Sequence, residues 1–217
     1  MTGTGLTGVV LAGGGSRRMG QNKALLAVGN EKVIGTIIGA MTEAGLEVII
    51  AANDQTADDY RDLGRGIVYD RFPGQGPLSG IHAALHAAKT PWIIVAACDM
   101  PFVSSALFRY LVKSVKEAEA ERADGDSYQA IIPVEEGRVQ PLLAAYHASG
   151  LGALEDALGG GRLRMMDWLE RLRVRYIPED VLVQETGFEA GQVFFNMNHP
   201  EDYRAALAKK REEEAGD

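Results

Sequence analysis

Short apolar runs and helical stripes alternate along the first half of the chain. Residues 6–12 are an apolar run bounded by glycine on both sides, which predicts a buried strand. Ile34, Ile37, Ile38 and Met41 recur on one stripe and predict a helix over 33–44, stopped at Gly45. Residues 46–52, broken only by Glu47, predict a second strand. A short helix over 58–63, a short strand over 66–69 and a helix over 79–88 follow. Residues 92–97 are apolar at every position, the pattern of a central parallel strand covered on both faces. Ser104 and Ser105 head a long helix with Leu107, Leu111, Val112 and Val115 on its inner stripe. Its charged far end, 116–126, is expected to face solvent.

Beyond Tyr128 the rhythm is less regular. Residues 130–134 and 142–146 predict strands, while Leu154, Leu158, Met165, Met166, Trp168 and Leu169 predict helices. Further strands are expected over 173–177 and 193–195. Pro200 opens a final amphipathic helix, since proline is favoured in a first turn. The polar tail, 209–217, is expected to fray. Strands alternating with helices imply right-handed βαβ units, hence an α/β fold with a mostly parallel central sheet between helical layers. At 217 residues, one domain over 1–217 is expected.

Composition narrows the chemistry. Apolar residues make up 46% and charged residues 24%, an ordinary globular balance. The net charge of −8 argues against nucleic-acid binding, which calls for a basic stripe. Cys98 is the only cysteine, so neither a disulfide framework nor a thiolate metal cluster is available. The longest apolar run, Trp92 to Cys98, is far short of the roughly 20 residues of a membrane span. The first residues lack a basic region and a signal-peptide core, so a cytoplasmic location is expected. Glycine is the outlier, with 26 residues of 217 against a usual share of ~7%.

Those glycines gather where predicted strands end. Leu11-Ala12-Gly13-Gly14-Gly15-Ser16-Arg17-Arg18-Met19-Gly20-Gln21-Asn22-Lys23 follows the first strand. Glycine lets backbone N–H groups approach an anion closely, and Arg17, Arg18 and Lys23 concentrate positive charge in an acidic protein. The combination suits a nucleoside triphosphate. It is neither the dinucleotide fingerprint, because Arg18 stands at the last glycine, nor a P-loop, because Gln21 and Asn22 separate Gly20 from Lys23. Asp99, closing the strand at 92–97, offers a hard oxygen ligand for Mg²⁺; alone it would read equally well as a turn aspartate before Pro101. The loop from Asp70 to Gly80 could line a base or ribose pocket, with Asp70 accepting from a sugar hydroxyl or a guanine edge. The alternative is a plain β–α connection with turn chemistry. Asn53 ends the second strand and is a candidate nucleotide contact or a turn asparagine. In such sheets ligands bind beyond the carboxyl ends of the strands, so these loops should meet at one crevice.

In the second half, Gln140-Pro141-Leu142 and the stretch from Phe195 to Asp202 are candidates for the acceptor side, although Asn198 could serve as the N-cap of the last helix. His82 and His86 stand one helical turn apart but lack the glutamate of a zinc-peptidase motif. No Ser/His/Asp triad is evident.

Leu11 to Leu26, Asn53, Asp70 to Gly80, Cys98 to Pro101, Gln140-Pro141 and Asn196 to Glu201 together resemble the molybdenum cofactor guanylyltransferases of the nucleotidyltransferase superfamily. Gly76-Pro77-Leu78-Ser79-Gly80 points to the guanylyl rather than the cytidylyl branch. The resemblance implies a three-layer Rossmann-like nucleotidyltransferase fold, with a nucleotide-binding half over about 1–125 and an acceptor-binding half over about 126–208. It implies transfer of GMP from GTP to molybdopterin with Mg²⁺, release of pyrophosphate, and a transient partner that delivers molybdopterin. Carried over by position, Leu11, Ala12, Gly13 and Gly14 would touch the nucleotide and Lys23 its phosphates. Asn53 and Asp70 would meet the guanosine, and Asp99 would hold Mg²⁺. Arg17 and Arg18 would offset charge on the leaving group. Gln140, Arg164, Asn196 and Asn198 fall on the pterin side. Asn22 departs from the commoner pattern, in which an aspartate precedes the lysine. A cytidylyl- or sugar-phosphate nucleotidyltransferase and a non-catalytic nucleotide-binding module stay open as alternatives.

Overall fold

The computed structural model describes residues 4–14, 22–121, 127–187 and 191–216. Strand β1 (Thr7–Leu11) leads through a 3₁₀ turn at Lys23–Leu25 to a small hairpin, β2 (Ala27–Val28) and β3 (Glu31–Lys32), and then to α1 (Val33–Glu43). β4 (Glu47–Ala52), a 3₁₀ segment at Ala57–Leu63, β5 (Gly66–Tyr69), α2 (Pro77–Ala87), β6 (Trp92–Ala97) and α3 (Ser105–Ala120) follow. The second half holds β7 (Ala130–Glu135), β8 (Arg138–Val139), β9 (Leu143–His147), α4 (Leu151–Gly159), α5 (Met165–Leu169), β10 (Val174–Ile177), α6 (Glu179–Thr186) and α7 (Pro200–Gly216).

Apart from the β2-β3 hairpin, which pairs on its own, the described strands form one sheet in the order β10-β7-β9-β6-β1-β4-β5, with β8 hydrogen-bonded to β7. β6, β1, β4 and β5 run parallel, as do β7 and β10. β9 is antiparallel to both its neighbours and joins the two parallel sets. Every residue of β1 and β6 is buried, which explains why β6 is apolar throughout and β1 nearly so, with the Thr7 hydroxyl paired to that of Thr90 at 2.7 Å. Alternate side chains feed two separate cores. Val10, Ile50 and Ile94 pack under α1 and α3, whereas Val9, Ile93 and Val95 pack against α2 and α4. The result is the expected three-layer α/β arrangement.

Local chemistry sets the element ends. The Ser104 hydroxyl accepts from the Leu107 amide at 3.4 Å and starts α3. Pro77 occupies the first turn of α2, where its missing N–H costs nothing. Gly45, at φ +82°, follows α1 in the left-handed region.

Three expectations are corrected. Residues 193–195 are not a strand: Val193 and Phe194 lie in a turn and Phe195 follows it. Val193 and Phe194 are buried and Phe195 packs edge-on to Phe102, with ring centroids 5.7 Å apart. Three apolar residues bury a loop as readily as a strand, and periodicity cannot separate the two. The tail does not fray at 209: α7 continues to Gly216, through alanine, lysine, arginine and glutamate, which are strong helix formers. Nor is α7 clearly amphipathic, since of its described side chains only Ala206 is buried. Among the described residues no helix is long and apolar enough to cross a membrane.

Candidate active site

Strand order reverses at β1: β4 and β5 lie on one side and β6 on the other. Such a switch point leaves room above the carboxyl ends of the strands. A crevice of about 670 Å³ opens there, within the range of small-molecule sites. Its lining includes Leu11 at the end of β1 with Gly13 and Gly14 beyond it, Asn53 after β4, Asp70 after β5 and Asp99 after β6, together with the loop that enters α2. Lys23 completes the wall, and Leu142 brings in the second half of the chain.

Lys23 is held by its neighbours before it meets any ligand. The Asn22 side chain accepts from the Ala24 amide at 3.2 Å and caps the 3₁₀ turn that carries Lys23. Its amide nitrogen donates to Asp59 Oδ2 at 3.0 Å and to the Tyr60 hydroxyl at 2.9 Å. A carboxylate at position 22 would face Asp59 with like charge, so the amide is the compatible choice here. Burial pushes the Tyr60 hydroxyl up to about 12. It therefore keeps its proton and reaches the Ala12 carbonyl at 3.3 Å.

Lys23 Nζ sits 3.5 Å from Asp99 Oδ2 and donates to Asn198 Oδ1 at 3.0 Å. Asn198 thus spends its side-chain oxygen on Lys23. The Asp202 carboxylate instead takes the amides of Asn198 and His199, both at 2.7 Å, and these bonds hold it below the usual carboxylate range. The Met197 amide donates to the Asp99 carbonyl at 2.9 Å, which ties this segment directly to the end of β6.

Asp99 is the strongest candidate for a cation. Its Oδ1 is buried without a hydrogen-bond partner, and burial raises its pKa against the lowering influence of Lys23. A desolvated carboxylate with one oxygen unspent fits a hard divalent ion that brings its own waters and the substrate's phosphates.

Asp70 is the second unspent acceptor. Its Oδ1 is buried and unpartnered, and burial, then Asp54, pushes the carboxyl up to about 6. Gly13 is needed beside it: a Cβ there would stand 3.0 Å from Asp70 Oδ2. Gly76, at φ +69°, turns the loop into α2, and the buried Ser79 hydroxyl accepts from the Phe72 amide at 3.2 Å to close it.

Asn53 lines the crevice and is also tied to the backbone around it. Its Nδ2 donates to the Gly13 carbonyl at 2.6 Å, and its Oδ1 accepts from the Gln55 and Thr56 amides, each at 3.0 Å. The side chain positions the glycine loop and its own turn. Ala12 lies beneath the wall, buried, its carbonyl taken by Thr56 and Tyr60. Gln140 donates to Glu135 at 3.1 Å and does not line the crevice, although Leu142 two residues on does. Asn196 donates to the Phe194 carbonyl at 2.7 Å and shapes its own turn. Arg164 is not brought to the crevice: its side chain is 81% exposed and lies 3.9 Å from Asp167. Arg17 and Arg18 lie outside the described residues. Sequence reasoning missed Asn22, Thr56 and Tyr60 as supports, because each acts through contacts across a turn or between elements. Cys98 also lines the crevice, but burial and Asp99 push its thiol up to about 12, so it is no nucleophile.

Residues 8–175 match the model of the MobA-like NTP transferase domain. A probable molybdenum cofactor guanylyltransferase of Pelotomaculum thermopropionicum is 40% identical over 90% of this chain and 89% of its own length. One from Carboxydothermus hydrogenoformans is 32% identical over 93% and 95%. The crystal structure of molybdopterin-guanine dinucleotide biosynthesis protein A from Archaeoglobus fulgidus superposes with a TM-score of 0.79 at 29% identity, covering 95% of this chain and 99% of that one. The chain accordingly belongs to the MobA-like NTP transferases, the family of the molybdenum cofactor guanylyltransferases, and is a nucleotidyltransferase.

Proposed function

We propose that this enzyme transfers GMP from GTP to molybdopterin, releasing pyrophosphate and forming molybdopterin guanine dinucleotide. The observation that carries the reading is Lys23 Nζ, placed between Asp99 and Asn198 at the strand ends. It joins a phosphate-binding cation, a metal-binding acid and a segment of the second half in one site. The names of the relatives supply the guanine and the pterin.

The terminal phosphate of molybdopterin is already a nucleophile, so the protein needs no strong base. An oxygen of that phosphate bonds to the α-phosphorus of GTP, the bond from α-phosphorus to the bridging oxygen breaks, and its electron pair leaves with pyrophosphate. Catalysis is then positioning and charge neutralisation. Asp99 would hold the Mg²⁺, which when bound offsets phosphate charge and fixes the triphosphate's orientation. Lys23 neutralises the phosphates, and Arg17 and Arg18 are assigned to the leaving pyrophosphate. Gly13 and Gly14 offer backbone to the nucleotide. Leu142 and the 196–198 segment border the acceptor side.

Guanine selectivity rests on Asp70. A carboxylate only accepts hydrogen bonds, and guanine alone among the common bases presents an adjacent N1–H and N2–H pair. Asp70→Asn should weaken GTP binding by about tenfold or more, the usual worth of a charged hydrogen bond. Asp70 also disfavours the folded apoenzyme as pH rises from the ordinary carboxylate range to about 6, because the folded state holds the proton more tightly. Above that the penalty is complete, so Asp70→Asn should stabilise the apoenzyme at pH 7 by about 1 kcal/mol, discounted for partial exposure. Denaturant melts at pH 7 and 4, with GTP titrations, check both effects.

The function itself is tested by pyrophosphate release from GTP, CTP, UTP and ATP, each with and without molybdopterin. Release from GTP that requires molybdopterin is the expected result. Preference for CTP, or GTP binding with no release, would overturn the proposal.

A further inference from the structure

His82 and His86 lie one turn apart on α2, and the local sequence offers no third ligand. The fold supplies one, because α4 packs against α2 and carries Glu155 to both rings. Glu155 Oε1 is 3.5 Å from His82 Nε2 and 3.1 Å from His86 Nε2. All three ligand atoms lie within 4.8 Å of one another. In a tetrahedral centre with bonds of about 2.1 Å, neighbouring ligand atoms stand about 3.4 Å apart, so both carboxylate spacings already match one.

Ring placement favours the same arrangement. His82 is buried, and Phe72 packs edge-on against it with centroids 5.0 Å apart, which fixes its plane. The His82 and His86 centroids are 4.5 Å apart. Two imidazolium charges at that distance repel, and burial, then His86, lowers the pKa of His82. His82 Nδ1 is buried without a hydrogen-bond partner, so with Nε2 on an ion the Nδ1–H would have no acceptor to orient it and the Phe72 packing alone would hold the ring. His86 and Glu155 are partly exposed, at 31% and 49%, which leaves an ion a route in and an open position for water. Among the described residues this is the one group of three or more histidine, cysteine, aspartate or glutamate side chains close enough to share an ion.

We propose that His82, His86 and Glu155 bind a zinc-class divalent ion that clamps α2 to α4, at a site separate from the Asp99 crevice. Two imidazoles and one carboxylate suit Zn²⁺, Co²⁺ or Ni²⁺ and disfavour Mg²⁺, which takes oxygen ligands in octahedral geometry. None of the three side chains lines the crevice, although Phe72 belongs to the glycine loop that does part of that lining.

The test titrates the full-length protein with Co²⁺ under saturating Mg²⁺ and follows the visible ligand-field bands of tetrahedral Co²⁺, then displaces it with Zn²⁺. One equivalent of tetrahedral Co²⁺ is expected. His86→Ala and Glu155→Gln, both at partly exposed positions, should each weaken binding about tenfold or more, whereas Asp99→Asn should leave it unchanged. Zn²⁺ should raise the Tm of the parent protein and of Asp99→Asn, but not of the other two variants. The absence of tetrahedral Co²⁺, bands that persist undiminished in His86→Ala and Glu155→Gln, or loss of binding in Asp99→Asn would each overturn the site. The first of these would leave Glu155 as an ordinary hydrogen-bond partner of two histidines.

Discussion

Lys23→Ala should lower turnover with GTP and molybdopterin by about 10²-fold or more while the protein stays folded. Removing one preorganised donor from a developing negative charge costs roughly 2.7–4 kcal/mol of transition-state stabilisation. Lys23 is preorganised in that sense: Asn22 caps its turn, and Asp99 and Asn198 fix its ammonium before a phosphate arrives. Its side chain is only 14% exposed, so little reorganisation of water is needed when substrate enters. The backbone of the turn depends on Asn22 rather than on the lysine side chain, and the circular dichroism spectrum should match the parent. Steady-state kinetics should show the loss mainly in kcat. A variant that loses only substrate affinity would place Lys23 in ground-state binding alone.

Asp99→Asn should be as damaging, for a different reason. Asparagine keeps the shape and one acceptor but removes the charge that a hard divalent ion requires. Turnover should fall by about 10²-fold or more, and the Mg²⁺ concentration for half-maximal activity should rise. In the parent, Asp99 is a buried carboxylate with one oxygen unpartnered and Lys23 as its only charge partner among the interactions described. Such a group is costly in the apoenzyme, at about 1–3 kcal/mol for an unsatisfied acceptor. On the proposed function, a cation and phosphates would recover that cost. Near-parental turnover in a folded Asp99→Asn protein would remove Asp99 from metal binding.

Much of this was legible in the sequence because the fold is built from runs that carry their own signature. β1 and β6 are buried at every position, and apart from Thr7 and Gly8 every residue in them is apolar. Once they are read as central parallel strands, the polar residues that end them, and those that end β4 and β5, must share one edge of the sheet. Asn53, Asp70 and Asp99 therefore converge by topology, whereas Lys23, on the 3₁₀ turn beyond β1, is placed by its contacts with Asp99 and Asn198. Legibility failed where a contact depends on distant segments. Lys23 meets Asn198 across 175 residues, and no local pattern indicates that Asn198 serves the lysine rather than its own helix. Glu155 joins two histidines from another helix in the same way. Asn53 was visible as a strand-end polar residue, but whether its amide faces ligand or backbone is decided by the turn that it closes. Arg164 came from resemblance alone, and the fold leaves it in solvent beside Asp167.

A crystal of the enzyme grown with GTP and Mg²⁺ addresses the arrangement most directly. The density expected has the triphosphate against Lys23, the ion coordinated by Asp99 Oδ1, and the guanine edge at Asp70. A nucleotide bound elsewhere, or an ion held on phosphates with Asp99 turned away, would contradict it.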